Sequence, residues 1–268
     1  MLTKILKILR NNSPKYLNIF WRILGNIYRY FMPKNTSCTQ NINKYGPFNL
    51  LNNFRFCDFD NWGIDCNDCF EIGIKYAKDC NVILDIGAHI GLFCLPCASV
   101  INKSGKIYAF EPSIANRNAL KKHVKFNNFE DKIIIESFLA SNECKKEKFY
   151  ESPFVNGMNS MSMARKGMKI REVDSITLDE YCRKKNLLPD LIKIDVEGAE
   201  IKVLKGCKRL MEKVKPIFIL SVHPRQIKEM KMKLSQIFEI AKNNNYKIKD
   251  SENNIAKSLN FKEYILEP

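Results

Sequence analysis

Residues 82–91, VILDIGAHIG, constrain the fold of this chain more than any other stretch. An apolar run interrupted only by Asp85 ends at Gly87, and GLFCLPCASVI follows from Gly91. The first reads as a buried strand and the second as a helix, with glycine making the turn between them. Such a corner belongs to α/β domains and holds a nucleotide or nucleoside ligand beyond the carboxyl end of the strand. A nucleoside triphosphate needs a Gly-Lys-Ser/Thr triplet after the strand, and none follows Gly87. A dinucleotide needs bare backbone at the second glycine of G-x-G-x-x-G, and His89 stands there. S-adenosylmethionine has no phosphate. It asks for a turn that receives its carboxylate and for acceptors facing its ammonium and ribose. Asp85 is suited to orient the turn or meet the ammonium, and Glu111, closing IYAFEP, to accept from both ribose hydroxyls. An acid at that place also serves NAD, so Glu111 marks adenosine, and the broken fingerprint weighs toward the methyl donor.

The pattern around this corner is strand alternating with helix. GKIYAF and KIIIESFLA read as strands two and three, with the amphipathic SIANRNALKKHVKFN between them. DLIKIDV and PIFILSV read as strands four and five, and NYKIKD and KEYILEP as the last two. Alternation of this kind predicts a parallel sheet covered on both faces. Thr177-Leu-Asp-Glu180 has the capping-box pattern of a helix start. Helices are expected over GAEIKVLKGCKRLMEKV and roughly residues 226–243, and Pro96 is expected to kink the helix after the glycine turn. Residues 141–175 are polar, with short β-like pieces, and suit an insertion over the active face.

Charge divides the chain. Its formal net charge is +15, yet no Asp or Glu precedes Asp58 and nine Lys and Arg do, leaving six excess charges for the other 211 residues. Residues 1–57 therefore read as a basic N-terminal extension and linker, with 34–57 Asn-rich and irregular, and 58–268 as the catalytic domain. Residues 1–33 carry Phe20, Ile23, Leu24, Ile27 and Phe31 at helical spacing among basic residues. That stripe suits peripheral contact with an anionic membrane, or packing on the domain or on a second subunit. It is too interrupted to span a bilayer. Ten cysteines without a clear secretory signal point to reduced thiols and a cytoplasmic setting, at most peripheral to a membrane. Cys66–Cys69 and Cys94–Cys97 have zinc-like spacing, but the second pair falls in a core helix.

ILDIGAHIG, IYAFEP, SITLDEY, LIKIDVEGAEIKVLKG and the His ending the fifth strand, in this order over about residues 70–225, resemble the FkbM-type methyltransferases. IKIDVEGAE with TLDEY ahead of it is the specific part. The resemblance implies a Rossmann-like class I methyltransferase fold with a mostly parallel seven-stranded sheet, S-adenosylmethionine as cofactor, and O-methylation of a sugar, glycan or natural product. Two positions depart from the family: it usually carries Asn where His89 stands, and often Glu where Ser221 stands. The second departure takes an acid from the acceptor side.

The cofactor set is Asp85, Gly87, Ala88, Gly91 and Glu111, with Glu71 closing over it from upstream. Asp195 and His223 end strands four and five, so both are expected to face the acceptor. An imidazole with a pKa near ~6.5 is a reasonable base there. Glu197 joins them as a catalytic candidate, whereas Glu200 reads as structural, an acid complementing a helix start. Lys193 shares the Asp195 face of its strand. Asp195, Glu197 and His223 are also a candidate set for a divalent ion, which carboxylate–imidazole proton relays resemble. Two alternatives stay open: a membrane-associated scaffold of methyltransferase fold without catalysis, and an NAD-dependent enzyme of glycan metabolism. Nucleic-acid methylation is disfavoured, because the excess charge lies mainly outside the catalytic half. Acceptor identity and oligomeric state are left open.

Overall fold

The structure, a computed structural model, describes Phe20 and residues 36–64, 67–155, 159–161 and 167–268. The amphipathic stripe of residues 1–33 lies, Phe20 apart, outside the described residues. Along the chain come β1 (Ser37–Ile42), β2 (Tyr45–Leu51), α1 (Phe70–Ala77), β3 (Val82–Ile86), α2 (Cys94–Val100), β4 (Lys106–Phe110), α3 (Ile114–Phe126) and β5 (Ile133–Glu136). There follow β6 (Leu139–Ala140), β7 (Lys146–Glu151), β8 (Lys169–Ile176), α4 (Leu178–Lys185), β9 (Leu191–Ile194) and α5 (Glu200–Lys205). The last are β10 (Ile217–Ser221), α6 (Pro224–Glu229), α7 (Ser235–Asn243), β11 (Lys247–Lys249) and β12 (Glu263–Glu267).

The central sheet has seven strands in the order β5-β4-β3-β9-β10-β12-β11. Pairing is parallel from β5 through β10, and β12 runs antiparallel to both its neighbours. This is the mostly parallel α/β methyltransferase architecture expected from the sequence. Period-two alternation sends successive side chains to opposite faces. Ile83, Ile107, Leu191 and Ile219 join one core with residues of α1, α2 and α3. Leu84, Phe110, Ile192 and Phe218 join a second core with residues of α4, α5, α6 and α7. Asp85, Lys193, Ser221 and Glu263 are all buried at the carboxyl side of the sheet. By the same alternation they fall on the face of the first core. The register sets Asp85 opposite Lys193 and Ser221 opposite Glu263.

Several elements differ from the sequence expectation. Residues 37–51 are an antiparallel hairpin rather than irregular chain. Ile42, Phe48 and Leu50 of this hairpin belong to the first core. Pro96 does not kink α2. The helix begins at Cys94, so proline sits in the first turn, where its missing N–H costs nothing. The third strand divides into β5 and β6. The helix expected over residues 198–214 breaks at Gly206, where a Cβ would lie 2.2 Å from the Ser141 carbonyl oxygen, and resumes as a π-turn at Leu210–Val214. The helix expected over 226–243 is two helices, α6 and α7, with Lys231 between them at φ 57°. Thr177 Oγ1 caps α4 by accepting from the Glu180 N–H at 3.1 Å. The Glu180 carboxylate turns to Arg183 instead of completing the box.

The insertion forms a small sheet, β6-β8-β7. It stands at the carboxyl end of the large sheet, and its Phe149 and Met161 reach the cleft there. Among the described residues no helix is long and apolar enough to cross a membrane.

Candidate active site

The glycine corner is built by close approach. Gly87 has φ 88°, and a Cβ there would lie 1.9 Å from the Asp195 carbonyl oxygen, so only glycine lets β3 turn against the end of β9. His89 and Glu197 both hold φ 51° without being glycine. Backbone in that region costs of order 1–3 kcal/mol per residue and concentrates at functional sites. The two strained residues flank one spot.

Two cavities meet there. The first encloses about 540 Å³ of empty space, open solvent included, within the range of small-ligand sites. Gly87, Glu111, Phe138, Leu139 and Ala140 are among its walls. The second lies on the His223 side, with Asp85, Lys193, Trp62, Phe93 and Phe261 among its walls. Gly87, His89, Asp195 and Glu197 line both.

In the first cavity Glu111 accepts from the His89 N–H and the Ser113 N–H, each at 2.8 Å. Burial pushes its carboxyl up to about 7, against the pull of those two N–H groups. Both Asp85 oxygens are buried and, the neighbouring Cys94 apart, have no hydrogen-bond partner. Burial raises that carboxyl to about 6, with the Lys193 ammonium opposing. The His89 Nε2 is likewise buried and unpartnered, and burial lowers the imidazole to about 4, so it is neutral at physiological pH. Unpaired buried polar atoms are costly in a folded chain, and these converge where the cavities join.

In the second cavity His223, following β10, points its Nε2 between two carboxylates, 3.7 Å from Asp195 Oδ1 and 3.7 Å from Glu197 Oε1. Its Nδ1–H donates to Glu200 Oε1 at 2.6 Å. Burial pulls the imidazole pKa down, but Glu200, Asp195 and Glu197 outweigh it and raise the group to about 9. The ordinary imidazole pKa expected from sequence is therefore corrected: His223 is protonated at neutral pH. Glu200 is corrected too. It is fully buried and also accepts from the Gly198 N–H at 3.0 Å, so it orients the imidazole as well as the turn. Asp195 is pulled down despite its burial, chiefly by Lys193, whose Nζ donates to Oδ2 at 2.9 Å. Glu197 is held by Gln226 at 3.0 Å, and burial raises its carboxyl.

The structure thus brings Asp85, Gly87, Ala88, Glu111, Asp195, Glu197 and His223 to the walls of the two cavities. Gly91 lies behind the wall, at φ 98° against Leu120. Glu71 is not brought in: it lies in the first turn of α1, is partly exposed and pairs with Lys44 at 2.5 Å. A divalent ion held by Asp195, Glu197 and His223 would first have to displace the proton on Nε2. Among the described residues, Asp68, Cys69 and Glu263 are the three whose ligand atoms converge within 4.8 Å. Their hydrogen bonds explain that convergence. Glu263 accepts from the Cys69 N–H, Asp68 accepts from the Glu263 N–H, and burial holds the Cys69 thiol protonated. Cys94 and Cys97 are buried thiols raised well above their ordinary range by burial, and Cys66 lies outside the described residues.

Sequence reasoning missed Glu263 altogether. Ser221 removes an acid from β10, but Glu263 on the neighbouring strand places a carboxylate against it, with Ser221 Oγ donating to Oε1 at 2.9 Å. Only knowledge that β12 pairs antiparallel with β10 would have shown this.

A model of the methyltransferase FkbM domain matches residues 85–248, more than half of the chain. The chain is 24% identical over 181 residues to the hexuronic acid methyltransferase AglP of Haloferax volcanii, covering 66% of this chain and 72% of that protein. Among solved structures it is similar to a methyltransferase FkbM of Methylobacillus flagellatus, with 17% identity and a TM-score of 0.46. That match covers 81% of this chain, which spans about half, 54%, of the other. An O-methyltransferase of Bacillus cereus in complex with SAH matches with 12% identity and a TM-score of 0.42, covering 73% of this chain and 79% of that one.

Proposed function

The chain belongs to the FkbM methyltransferase family and is an S-adenosylmethionine-dependent methyltransferase, and we propose that the group it methylates is a hydroxyl of a sugar or glycan. The bound cofactor supplies an activated methyl group on a sulfonium. The residues present fit it. The buried Asp85 oxygens suit its ammonium, Glu111 its ribose hydroxyls, and Phe138, Leu139 and Ala140 its adenine. Gly87 and Ala88 leave backbone exposed for its amino-acid end, with Gly91 packing the turn from behind.

The observation that carries the acceptor assignment is the Glu200–His223 pair aimed at Asp195 and Glu197. A sugar hydroxyl is a poor nucleophile while protonated, and a positioned base contributes about 10²–10⁴-fold. Once deprotonated, His223 takes the hydroxyl proton on Nε2, and Glu200 steadies the imidazolium that results. Asp195 and Glu197 hold the acceptor in line with the methyl group, which is where much of the acceleration arises. Trp62 and Phe261 give the second cavity apolar faces suited to a pyranose ring. The hexuronic acid methyltransferase among the relatives agrees with this acceptor class.

The test uses S-adenosylmethionine labelled in its methyl group. The protein is incubated separately with oligosaccharides, nucleotide sugars, RNA and a mixture of proteins. Alkali-stable label recovered in a monosaccharide after acid hydrolysis is the expected result. Label in RNA or protein, with none in sugar, overturns the acceptor assignment.

A further inference from the structure

Glu263 is a fully buried carboxylate that the chemistry above leaves unused. Its Oε1 accepts from Ser221 Oγ at 2.9 Å and Asn67 Nδ2 at 3.2 Å, and lies 3.8 Å from Lys193 Nζ. Its Oε2 accepts from the Cys69 N–H at 3.1 Å. Lys193 is buried too, with Nζ 5.8 Å from the centre of the Phe93 ring. A buried ammonium needs more than one partner to offset its lost hydration. It has Asp195 Oδ2 at 2.9 Å on one side and Glu263 on the other, with Asp85 opposite it across the β3–β9 pairing.

This arrangement divides the Asp195 carboxylate. Oδ2 is committed to Lys193, and Oδ1 is left facing His223. Without a carboxylate behind it, the ammonium would draw on both Asp195 oxygens. We propose that Glu263 is a positioning residue: it anchors Lys193 from behind, so that Asp195 keeps one oxygen turned to His223 and the acceptor. The carboxylate is carried on β12, one strand away from the strand that leads to His223. Directly opposed residues in an antiparallel pair have Cβ atoms about 4.5–5.5 Å apart. A carboxylate moved from residue 263 to residue 221 therefore reaches the same ammonium.

The proposal rests on the assigned role of Asp195 and His223, but its test needs no methyl transfer, so the two can fail separately. The chain has three histidines, His89, His123 and His223. Burial lowers the first two to about 4, which leaves His223 as the histidine titrating on the alkaline side. The groups facing it are Glu200, Asp195 and Glu197, with the Phe261 ring stacked edge-on at 5.4 Å. The full chain, labelled in its histidine imidazoles, is titrated by NMR as wild type, Glu263→Gln, and the double variant Ser221→Glu with Glu263→Ser.

In Glu263→Gln the His223 midpoint is expected to fall by about one pH unit, because Lys193 then neutralises more of Asp195. In the double variant it returns to the wild-type value. An unchanged midpoint in Glu263→Gln overturns the proposal. So does a lowered midpoint that the folded double variant does not restore, since Glu263 would then act through the Cys69 N–H that residue 221 cannot reach. If Glu263→Gln does not fold, the double variant is read alone. A wild-type midpoint supports the proposal, and loss of folding or a midpoint near ~6.5 overturns it.

Discussion

At the scale of single residues the site is governed by which acids reach His223. Glu200 is the decisive one, through its 2.6 Å bond to Nδ1. It is an acid in the first turn of a short helix, and the helix dipole alone explained it from sequence. Its second role depended on β10 ending beside α5, a contact between residues 23 positions apart. Asp85, Glu111 and Asp195 were legible because each sits at a strand end in a recognisable pattern. Removing the Glu200 charge should lower the His223 pKa from about 9 toward the ordinary value. In wild type the methyl-transfer rate should climb with pH through a midpoint near 9 and level off above it. In Glu200→Gln the midpoint should move at least one unit to the acid side, and the plateau should fall about tenfold or more as the imidazolium loses its partner. A pH–rate profile of both proteins decides this, and coincident midpoints would remove Glu200 from the proton path.

At the scale of elements, the alternating strands and helices were readable because each carries its own period. The β1–β2 hairpin was not. Its sequence is rich in Asn and lacks acids, and its pairing depends on a partner elsewhere in the chain. Asn127, at the C-cap of α3, accepts from the Asn49 N–H and donates to the Asn49 carbonyl, both at 2.9 Å. His123 of the same helix accepts the Leu51 N–H on Nε2 and donates from Nδ1 to the Ile90 carbonyl, which fixes its tautomer and ties the hairpin to the glycine corner. Asn43 holds the Phe59–Trp62 turn, so the hairpin also steadies a wall of the second cavity. Composition put a boundary at Asp58, and we propose instead that the hairpin is part of the catalytic unit. A chain begun at Asp58 loses the burial of Ile42, Phe48 and Leu50, each worth about 1.5–3 kcal/mol. It also strands the hydrogen-bonding groups of His123 and Asn127. The sum rivals a typical total stability of about 5–15 kcal/mol. Thermal unfolding should show a midpoint lowered by more than about 10 °C, or no cooperative transition, and an unshifted midpoint would restore the boundary at Asp58.

At the scale of the whole molecule, the site is a store of ionisation that folding leaves unfavourable and ligand can relieve. Asp85 and Glu111 are raised to about 6 and about 7, chiefly by burial, from unfolded values near ~4. Between those limits the folded chain binds more protons than the unfolded one, so stability falls as pH rises. His223, raised to about 9, acts in the same direction: its contribution is complete below ~6.5 and lost as pH climbs through 9. Asp195 opposes them only in acid, since its lowered pKa gives stability that is present above ~4 and lost below, while His89 and His123, lowered to about 4, oppose them up to ~6.5 and take back part of the fall. One pKa unit corresponds to about 1.4 kcal/mol, and 1 kcal/mol to about 2–4 °C for a domain of this size. The ligand-free protein should therefore unfold about 5–10 °C lower at pH 9 than at pH 5.5. S-adenosylhomocysteine keeps the ammonium and the ribose hydroxyls, which are what the ionised Asp85 and Glu111 are suited to receive. A hundredfold excess over its dissociation constant adds about 2.7 kcal/mol. That constant should itself tighten as the two acids ionise, so at fixed ligand concentration the gain in unfolding temperature should be larger at pH 8 than at pH 5.5. Scanning calorimetry across that range, with and without the ligand, measures both slopes. A stability that rises toward pH 9, or a ligand shift indifferent to pH, would mean that Asp85 and Glu111 do not hold the cofactor as proposed.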